Sequence, residues 1–338
     1  AGAGTAALPR ALPASLVRRK GRRAAPLAPP GPVGSTDPTG GPSPPMSEQT
    51  SVRRAETGHK VILDTDPGID DAMAIAYAVA HPDIDLLALT TIFGNVAVHE
   101  ATANARALLG HLGSTAEVAE GADRPLVRPP GRPSYHVHGS NGFGEVALDV
   151  PGDRLAPLSR RTAAELIVEL ADEHPGEVHL CAVGPLTNLA LALELDPGIV
   201  RTLASVTVMG GAVWHPGNVT PVAEANIWND PDAADRVFAA EWRLTLAPLD
   251  CTMPVVFSRS YLDGLAEAAP RAGGLLREMG AFYTRFYHRF AGKDGCVPHD
   301  VAALMALTAP GAFTMRTGAL VVATDGPAMG QTLFRPAG

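Results

Sequence analysis

Residues 60–80 read KVILDTDPGIDDAMAIAYAVA, with four carboxylates, Asp64, Asp66, Asp70 and Asp71, inside eight positions. The apolar run Val61, Ile62, Leu63 has the character of a buried parallel strand, and from Asp71 the composition turns helical, so the stretch predicts a strand, a turn at Pro67-Gly68 and a helix. Side chains alternate along a strand, which puts Asp64 and Asp66 on one face, while Asp70 and Asp71 fall where the backbone N–H groups and dipole of a helix start favour anions. At least three carboxylates then converge beyond one strand end. Two bare carboxylates about 4 Å apart repel by roughly 1 kcal/mol in water and by several times that in a protein interior. A hard divalent cation relieves this, and an all-oxygen donor set points to Ca²⁺ or Mg²⁺ over zinc. The competing reading has Asp70 and Asp71 as helix caps and Asp64 and Asp66 as solvated loop residues, but a cap needs one carboxylate and not four.

Outward from this segment, strand and helix patterns alternate. Strands are expected at 61–66, 86–93, 178–183, 206–209, 244–247 and 320–323, and helices at 71–80, 99–112, 162–173, 186–195, 231–240, 274–290 and 299–307. The expected fold is α/β: a Rossmann-like open, mostly parallel sheet flanked by helices on both faces. Ligands of such folds bind beyond the carboxyl ends of the strands. The polar clusters sit there: DTDPGIDD, then Gly94-Asn95, Gly184-Pro185 and Gly210-Gly211. No GxGxxG or P-loop follows any strand, which disfavours a dinucleotide or triphosphate cofactor.

The 338 residues, 46% of them hydrophobic, suffice for one large α/β domain or two smaller ones. A net charge of −8 gives no basic footprint for nucleic acid, and no apolar run reaches the roughly eighteen residues of a membrane span. Cys181, Cys251 and Cys296 are scattered without metal spacing, which fits a reducing cytoplasm, and Cys181 reads as a small buried thiol. Residues 1–57 are rich in Pro, Gly, Ala and Arg and lack periodicity, so a disordered leader is expected, either an Arg-rich transit segment or a stretch upstream of a start at Met46. Residues 58–338 form the folded domain.

Three further clusters carry chemistry. In 217–226, GNVTPVAEAN, Glu224 and Asn226 stand two apart, so in an extended segment they face the same way and can grip vicinal hydroxyls; Asn218 alone fits local turn bonding. His299-Asp300 opens a helix, where Asp300 satisfies a first-turn role and His299 titrates near neutrality. The glycine-rich 135–144, YHVHGSNGFG, reads as a mobile lid or as a surface loop with two exposed histidines.

From Lys60 onward the chain resembles the inosine-uridine preferring nucleoside hydrolases. DTDPGIDD, TTIFGN, VGPLTNLALAL, VMGGAVWHPGNVTPVAEANIWNDPDAA and HD occur in that order. The resemblance implies calcium-dependent hydrolysis of the N-glycosidic bond of small-molecule ribonucleosides in nucleoside salvage, by a homodimer or homotetramer. It implies Ca²⁺ on Asp66, Asp71, the Val183 carbonyl and Asp300. Asp70, Asn95, Asn218, Glu224 and Asn226 would hold the ribose, Met209 would pack on it, and Asp66 would be the base. His299 would protonate the departing nucleobase, with His138, Tyr283 and Tyr287 closing over it. Breaking a C–N glycosidic bond puts positive charge on the sugar and negative charge on the base, so a site rich in carboxylates around the sugar, with a proton source for the leaving group, suits it.

The sequence departs from the family at Val301, where Pro is frequent after HD, and at Ala225, where an aromatic ring is frequent. It also lacks the strand and helix that usually follow segments like 319–323 and 331–335. A non-catalytic ribose- or nucleoside-binding protein is therefore the alternative. An aspartate-nucleophile phosphatase fits poorly, because Pro67-Gly68 follows Asp66.

Overall fold

A computed structural model describes residues 14–19 and 58–337 of the chain. Its strands are β1 (Ala14–Arg19), β2 (His59–Thr65), β3 (Ile84–Thr91), β4 (Glu117–Glu120), β5 (Val178–Ala182), β6 (Ser205–Met209), β7 (Leu244–Ala247), β8 (Phe313–Val322) and β9 (Thr332–Pro336). The helices are α1 (Ile69–Ala80), α2 (Val98–Leu112), α3 (Tyr135–His138), α4 (Ala163–Glu173), α5 (Thr187–Leu195), α6 (Ile199–Thr202), α7 (Ala225–Asn229), α8 (Pro231–Ala239), α9 (Leu249–Thr252), α10 (Arg259–Ala268), α11 (Pro270–Ala291) and α12 (Val301–Thr308).

All nine strands form one sheet in the order β4-β3-β2-β5-β6-β7-β1-β8-β9. From β4 to β7 every pairing is parallel. The alternation read from the sequence is thus realised as two βαβ runs that leave β2 in opposite directions. Their switch point lies between β2 and β5, so the crevice that such sheets form beyond the carboxyl ends of their strands is expected there.

Strand β2 shows why the sheet is covered on both sides. Val61 and Leu63 enter one core with α1, α2, α11 and α12, while Ile62 enters the other with α4, α5 and α8, and all three are 0% exposed. A strand buried on both faces reads as a continuous apolar run, as this one does. Cys181 on β5 is buried, and burial pushes its thiol up to about 12, which leaves it inert.

Two expectations change. Ala14–Arg19, inside the segment expected to lack structure, is a strand, parallel to β7 and antiparallel to β8. Its ladder supplies backbone partners to both neighbours, a long-range demand that outweighs local composition; the rest of 1–57 lies outside the described residues. The 217–226 segment is not extended throughout, because α7 begins at Ala225. Among the described residues no helix is long and apolar enough to cross a membrane.

Candidate active site

The turn between β2 and α1 is organised by Asp71. One carboxylate oxygen accepts the Thr65 hydroxyl at 2.6 Å and the Asp66 N–H at 3.2 Å, and the other accepts the Gly68 N–H at 2.9 Å and the Asn95 amide at 3.1 Å. Asp71 therefore does cap α1, yet capping accounts for it alone. Asp66, just past the strand end, accepts the Asn95 N–H at 2.7 Å through Oδ2, while its Oδ1 is buried with no hydrogen-bond partner. Asp70 accepts the Tyr283 hydroxyl at 3.1 Å and stands 3.8 Å from Nδ1 of His138.

Oxygens of Asp70, Asp71 and Asp300, the last at the start of α12, all lie within 4.8 Å of one another. Among the described residues no Lys or Arg forms an ion pair with this cluster, and the imidazole beside it, His138, brings no compensating charge while it is neutral. Burial, and then the charges of Asp70, Asp71, Asp66 and Glu224, hold the Asp300 carboxyl well above the usual range. Burial followed by Asp71 does the same for Asp66, and raises Asp70 to about 8. Buried carboxylates without a counter-charge retain protons or take up a cation. An orphaned Asp66 oxygen beside three convergent carboxylates, all hard oxygen donors, fits a Ca²⁺-type ion.

Asp64, expected to share the strand face with Asp66, is engaged by the neighbouring strand β3 and by α5. Its Oδ1 accepts Thr90 at 2.6 Å and the Asn188 amide at 2.7 Å, its Oδ2 has no partner, and burial raises its pKa to about 7. Asn188 also donates to the Thr91 carbonyl at 2.9 Å and accepts the Ala122 N–H at 2.9 Å, tying β2, β3 and the loop after β4 together beneath the cluster.

The facing wall comes from β5, β6 and the loop to α7. Glu224 caps α7, accepting N–H groups of Asn226 at 2.9 Å, Ile227 at 3.2 Å and, from across the loop, Gly211 at 2.8 Å. The amide of Asn226 donates to the carbonyls of Val183 at 2.8 Å and Met209 at 3.1 Å, binding the ends of β5 and β6 and leaving its own carbonyl oxygen for another partner. Both residues are buried at the crevice, although a helix N-terminus and not an extended strand aims them. Asn218 is exposed on the rim and accepts the Ala225 N–H at 3.0 Å, the local bonding that its sequence position allowed.

The third wall is aromatic. His138 is buried rather than exposed, takes the Ile69 N–H on Nδ1 at 3.1 Å, and packs against Tyr283 with ring centroids 5.2 Å apart. His299 sits between two hydroxyls, Thr252 on Nδ1 at 2.7 Å and Tyr287 on Nε2 at 2.6 Å. Burial lowers both imidazoles to about 3, so each is neutral at neutral pH. Of the residues expected from the sequence, Asp66, Asp71 and Asn95 are hydrogen-bonded together, Asp70, Asp71 and Asp300 converge, Asn226 ties Val183 to Met209 beside Glu224, His138 and His299 stand in the aromatic wall, and Asn218 is exposed. Thr252 and Asn188 are additions; Asn188 stood within the motif VGPLTNLALAL, whereas nothing in LDCTMP marked Thr252.

Comparison with known proteins gives a single answer. The family model described as inosine-uridine preferring nucleoside hydrolase matches residues 61–338. The chain is 40% identical over 276 residues to uridine nucleosidase 1 of Arabidopsis thaliana, covering 81% of each protein. It is 38% identical over 257 residues to the inosine-uridine preferring nucleoside hydrolase of Leishmania major, covering 75% of this chain and 80% of that one. Among solved structures, a plant nucleoside hydrolase superposes with a TM-score of 0.78 at 37% identity, covering 82% of this chain and 87% of the other. A purine-preferring ribonucleoside hydrolase from Gardnerella vaginalis gives 0.78 at 31% identity, covering 82% and 88%. The chain belongs to the inosine-uridine preferring nucleoside hydrolase family.

Proposed function

We propose that this chain's hydrolysis of the N-glycosidic bond of ribonucleosides takes place at the buried carboxylate crevice between β2 and β5. Asp66, Asp71, the Val183 carbonyl and Asp300 would hold the ion, a Ca²⁺, and Asp70, whose carboxylate converges with those of Asp71 and Asp300, would stand within its field. The observation that carries this reading is the buried, unpartnered Oδ1 of Asp66 among carboxylates with no Lys or Arg beside them. When bound, the cation supplies concentrated positive charge that offsets the carboxylates and acidifies and orients hydroxylic oxygens.

The protein's own residues divide the work. Asp70, Asn95, Asn218, Glu224 and Asn226 orient the ribose hydroxyls, and Met209, 2% exposed at the end of β6, packs on the sugar. As the C1′–N bond breaks, its electron pair leaves with the base and positive charge grows on the ribose, which the surrounding carboxylates stabilise. The water oxygen bonds to C1′ while Asp66 takes a water proton. A proton arrives at the base from the His299–Tyr287 side, beneath His138 and Tyr283. Ribose and free base result, and the cycle closes when Asp66 releases its proton to solvent and the His299–Tyr287 pair takes one up. Three free buried cysteines support a reducing, cytoplasmic setting, and the family resemblance supports a homodimer or homotetramer.

The test is a panel of purine and pyrimidine ribonucleosides, assayed for reducing sugar with the full chain, with and without a calcium chelator. Release that chelation stops, that calcium restores, and that Asp66→Ala abolishes is the expected outcome. Turnover unaffected by chelator refutes the metal assignment, and nucleoside binding by calorimetry without product returns the chain to a binding role.

A further inference from the structure

We infer that Thr252 is a positioning residue for proton delivery to the leaving base, fixing the imidazole of His299 so that Nε2 presents its hydrogen to Tyr287. The inference rests on the function proposed above. Its basis is the way Thr252 is itself held. Helix α9 is one turn long and would fray alone, yet it is tied to the neighbouring strand end from both sides. Leu249 donates its N–H to the Gly211 carbonyl at 2.9 Å, and the Asp250 carboxylate accepts the N–H groups of Val213 at 2.9 Å and Trp214 at 2.8 Å. The turn that carries Thr252 is thereby built against the loop that also leads to Asn218 and Glu224. Thr252 is 1% exposed and β-branched, so its side chain has little rotamer freedom, and its hydroxyl is aimed 2.7 Å from Nδ1.

The consequence for His299 is tautomeric. A neutral imidazole carries one ring hydrogen, and the partner of one nitrogen decides where it resides. With the Thr252 hydroxyl donating to Nδ1, the hydrogen sits on Nε2, 2.6 Å from the Tyr287 oxygen. The Tyr287 hydroxyl hydrogen then points away from His299, where its other neighbour is the Tyr283 oxygen at a long 3.5 Å, and can turn from that weak contact to the base. With Thr252 accepting instead, Nε2 would consume the tyrosine hydrogen and the base side would hold no donor. One hydroxyl, outside the carboxylate cluster and away from the sugar, thus sets the direction of a chain of hydrogen bonds.

The test separates positioning from plain burial of a polar pair. Steady-state kinetics are measured for wild type, Thr252→Val and Thr252→Ser on inosine or uridine, whose bases leave poorly without a proton, and on p-nitrophenyl riboside, whose phenolate needs none. Loss of a general acid costs about 10²–10⁴ in rate, so Thr252→Val is expected to lower kcat on the nucleoside by about a hundredfold with KM little changed. The same variant keeps its rate on the phenyl riboside, and Thr252→Ser restores nucleoside turnover. Equal loss on both substrates in a folded Thr252→Val protein, or loss on neither, overturns the inference. Should Thr252→Val not fold, the wild-type histidine ¹⁵N spectrum decides, with the His299 signals assigned by His299→Asn. The ring hydrogen is expected on Nε2, and finding it on Nδ1 overturns the assignment. If wild type hydrolyses neither substrate class, the proposed function has failed, not the role of Thr252 within it.

Discussion

Asp66 shows at a single residue how stability has been given up for chemistry. Its carboxylate is buried, one oxygen is unpartnered, and its neighbours are acids, a combination that a merely structural site would not keep. Replacing it by its neutral isostere removes repulsion as well as function. Asp66→Asn is therefore expected to lose roughly a thousandfold or more in kcat while its melting temperature in chelator rises by several degrees above wild type. Thermal melts beside the nucleoside assay check this, and an inactive variant that also melts lower would make Asp66 a structural residue. Asp66 was legible in the sequence because four acids in eight positions is a local signal. Thr252 was not, since its partner His299 lies 47 residues away and a lone threonine after a strand has no signature of its own. Asp64 falls between the two: its place in the acidic run was legible, but its engagement by Thr90 and Asn188 depends on a neighbouring strand and helix.

Among the elements, the strand ends and the turns that follow them place the site, and their closeness depends on absent side chains. A Cβ built on Gly184, directly after Val183, would stand 2.8 Å from Asp66 Oδ1 and 2.7 Å from Ile92. Ile92 is fully buried and has nowhere to move, so the Asp66 carboxylate must yield. Gly184→Ala is accordingly expected to fold, to cost about 1–3 kcal/mol by overpacking, and to lower calcium affinity and kcat by at least about tenfold. Unchanged calcium dependence of activity in that variant would show that Oδ1 does not face the ion. The long elements were readable from periodicity: the helix expected at 71–80 is α1, and the strand at 178–183 is β5. Several elements missed or misread are short or capped in unusual ways, although α10, ten residues with a Ser258 cap, also went unread and the ten-residue β8 was expected only at 320–323. Helix α7 has five residues and a glutamate cap, so Glu224 and Asn226 read as extended, and β4 has four residues with charge at both ends. Local pattern carries too little signal at these lengths; pairing and capping partners distant in sequence decide them.

At the scale of the whole molecule, the sheet order concentrates buried acids at one switch point, so the protein's stability should depend on pH and calcium together. In the absence of a cation, the folded state holds Asp64 protonated up to about 7 and Asp70 up to about 8, whereas both titrate at 3.8 in the unfolded chain. Above the ordinary carboxylate range the native state therefore binds more protons than the unfolded one, and stability falls as pH rises until these groups are ionised. The buried histidines act oppositely. His138 and His299 are lowered to about 3 from 6.5, so the unfolded chain binds the extra protons below pH 6.5 and stability is lost there as pH falls. In chelator the two histidines offset two carboxyl groups between about 4 and 6.5, where Asp66 and Asp300, also raised, tilt the balance toward decline, and from 6.5 to about 8 the decline caused by the carboxyl groups stands alone. Calcium replaces the protons that the clustered carboxyl groups, Asp70 among them, would otherwise hold, so its stabilisation should increase across the same interval. Melting curves at pH 5.5, 6.5, 7.25 and 8, in EDTA and in millimolar CaCl₂, are expected to show a chelator curve that is level or gently falling from 5.5 to 6.5 and drops by several degrees toward 8, while the calcium curve stays level or rises. Parallel curves would mean that the ion does not bind where the acids are crowded. A gap that opens only with magnesium would keep the site and change the metal.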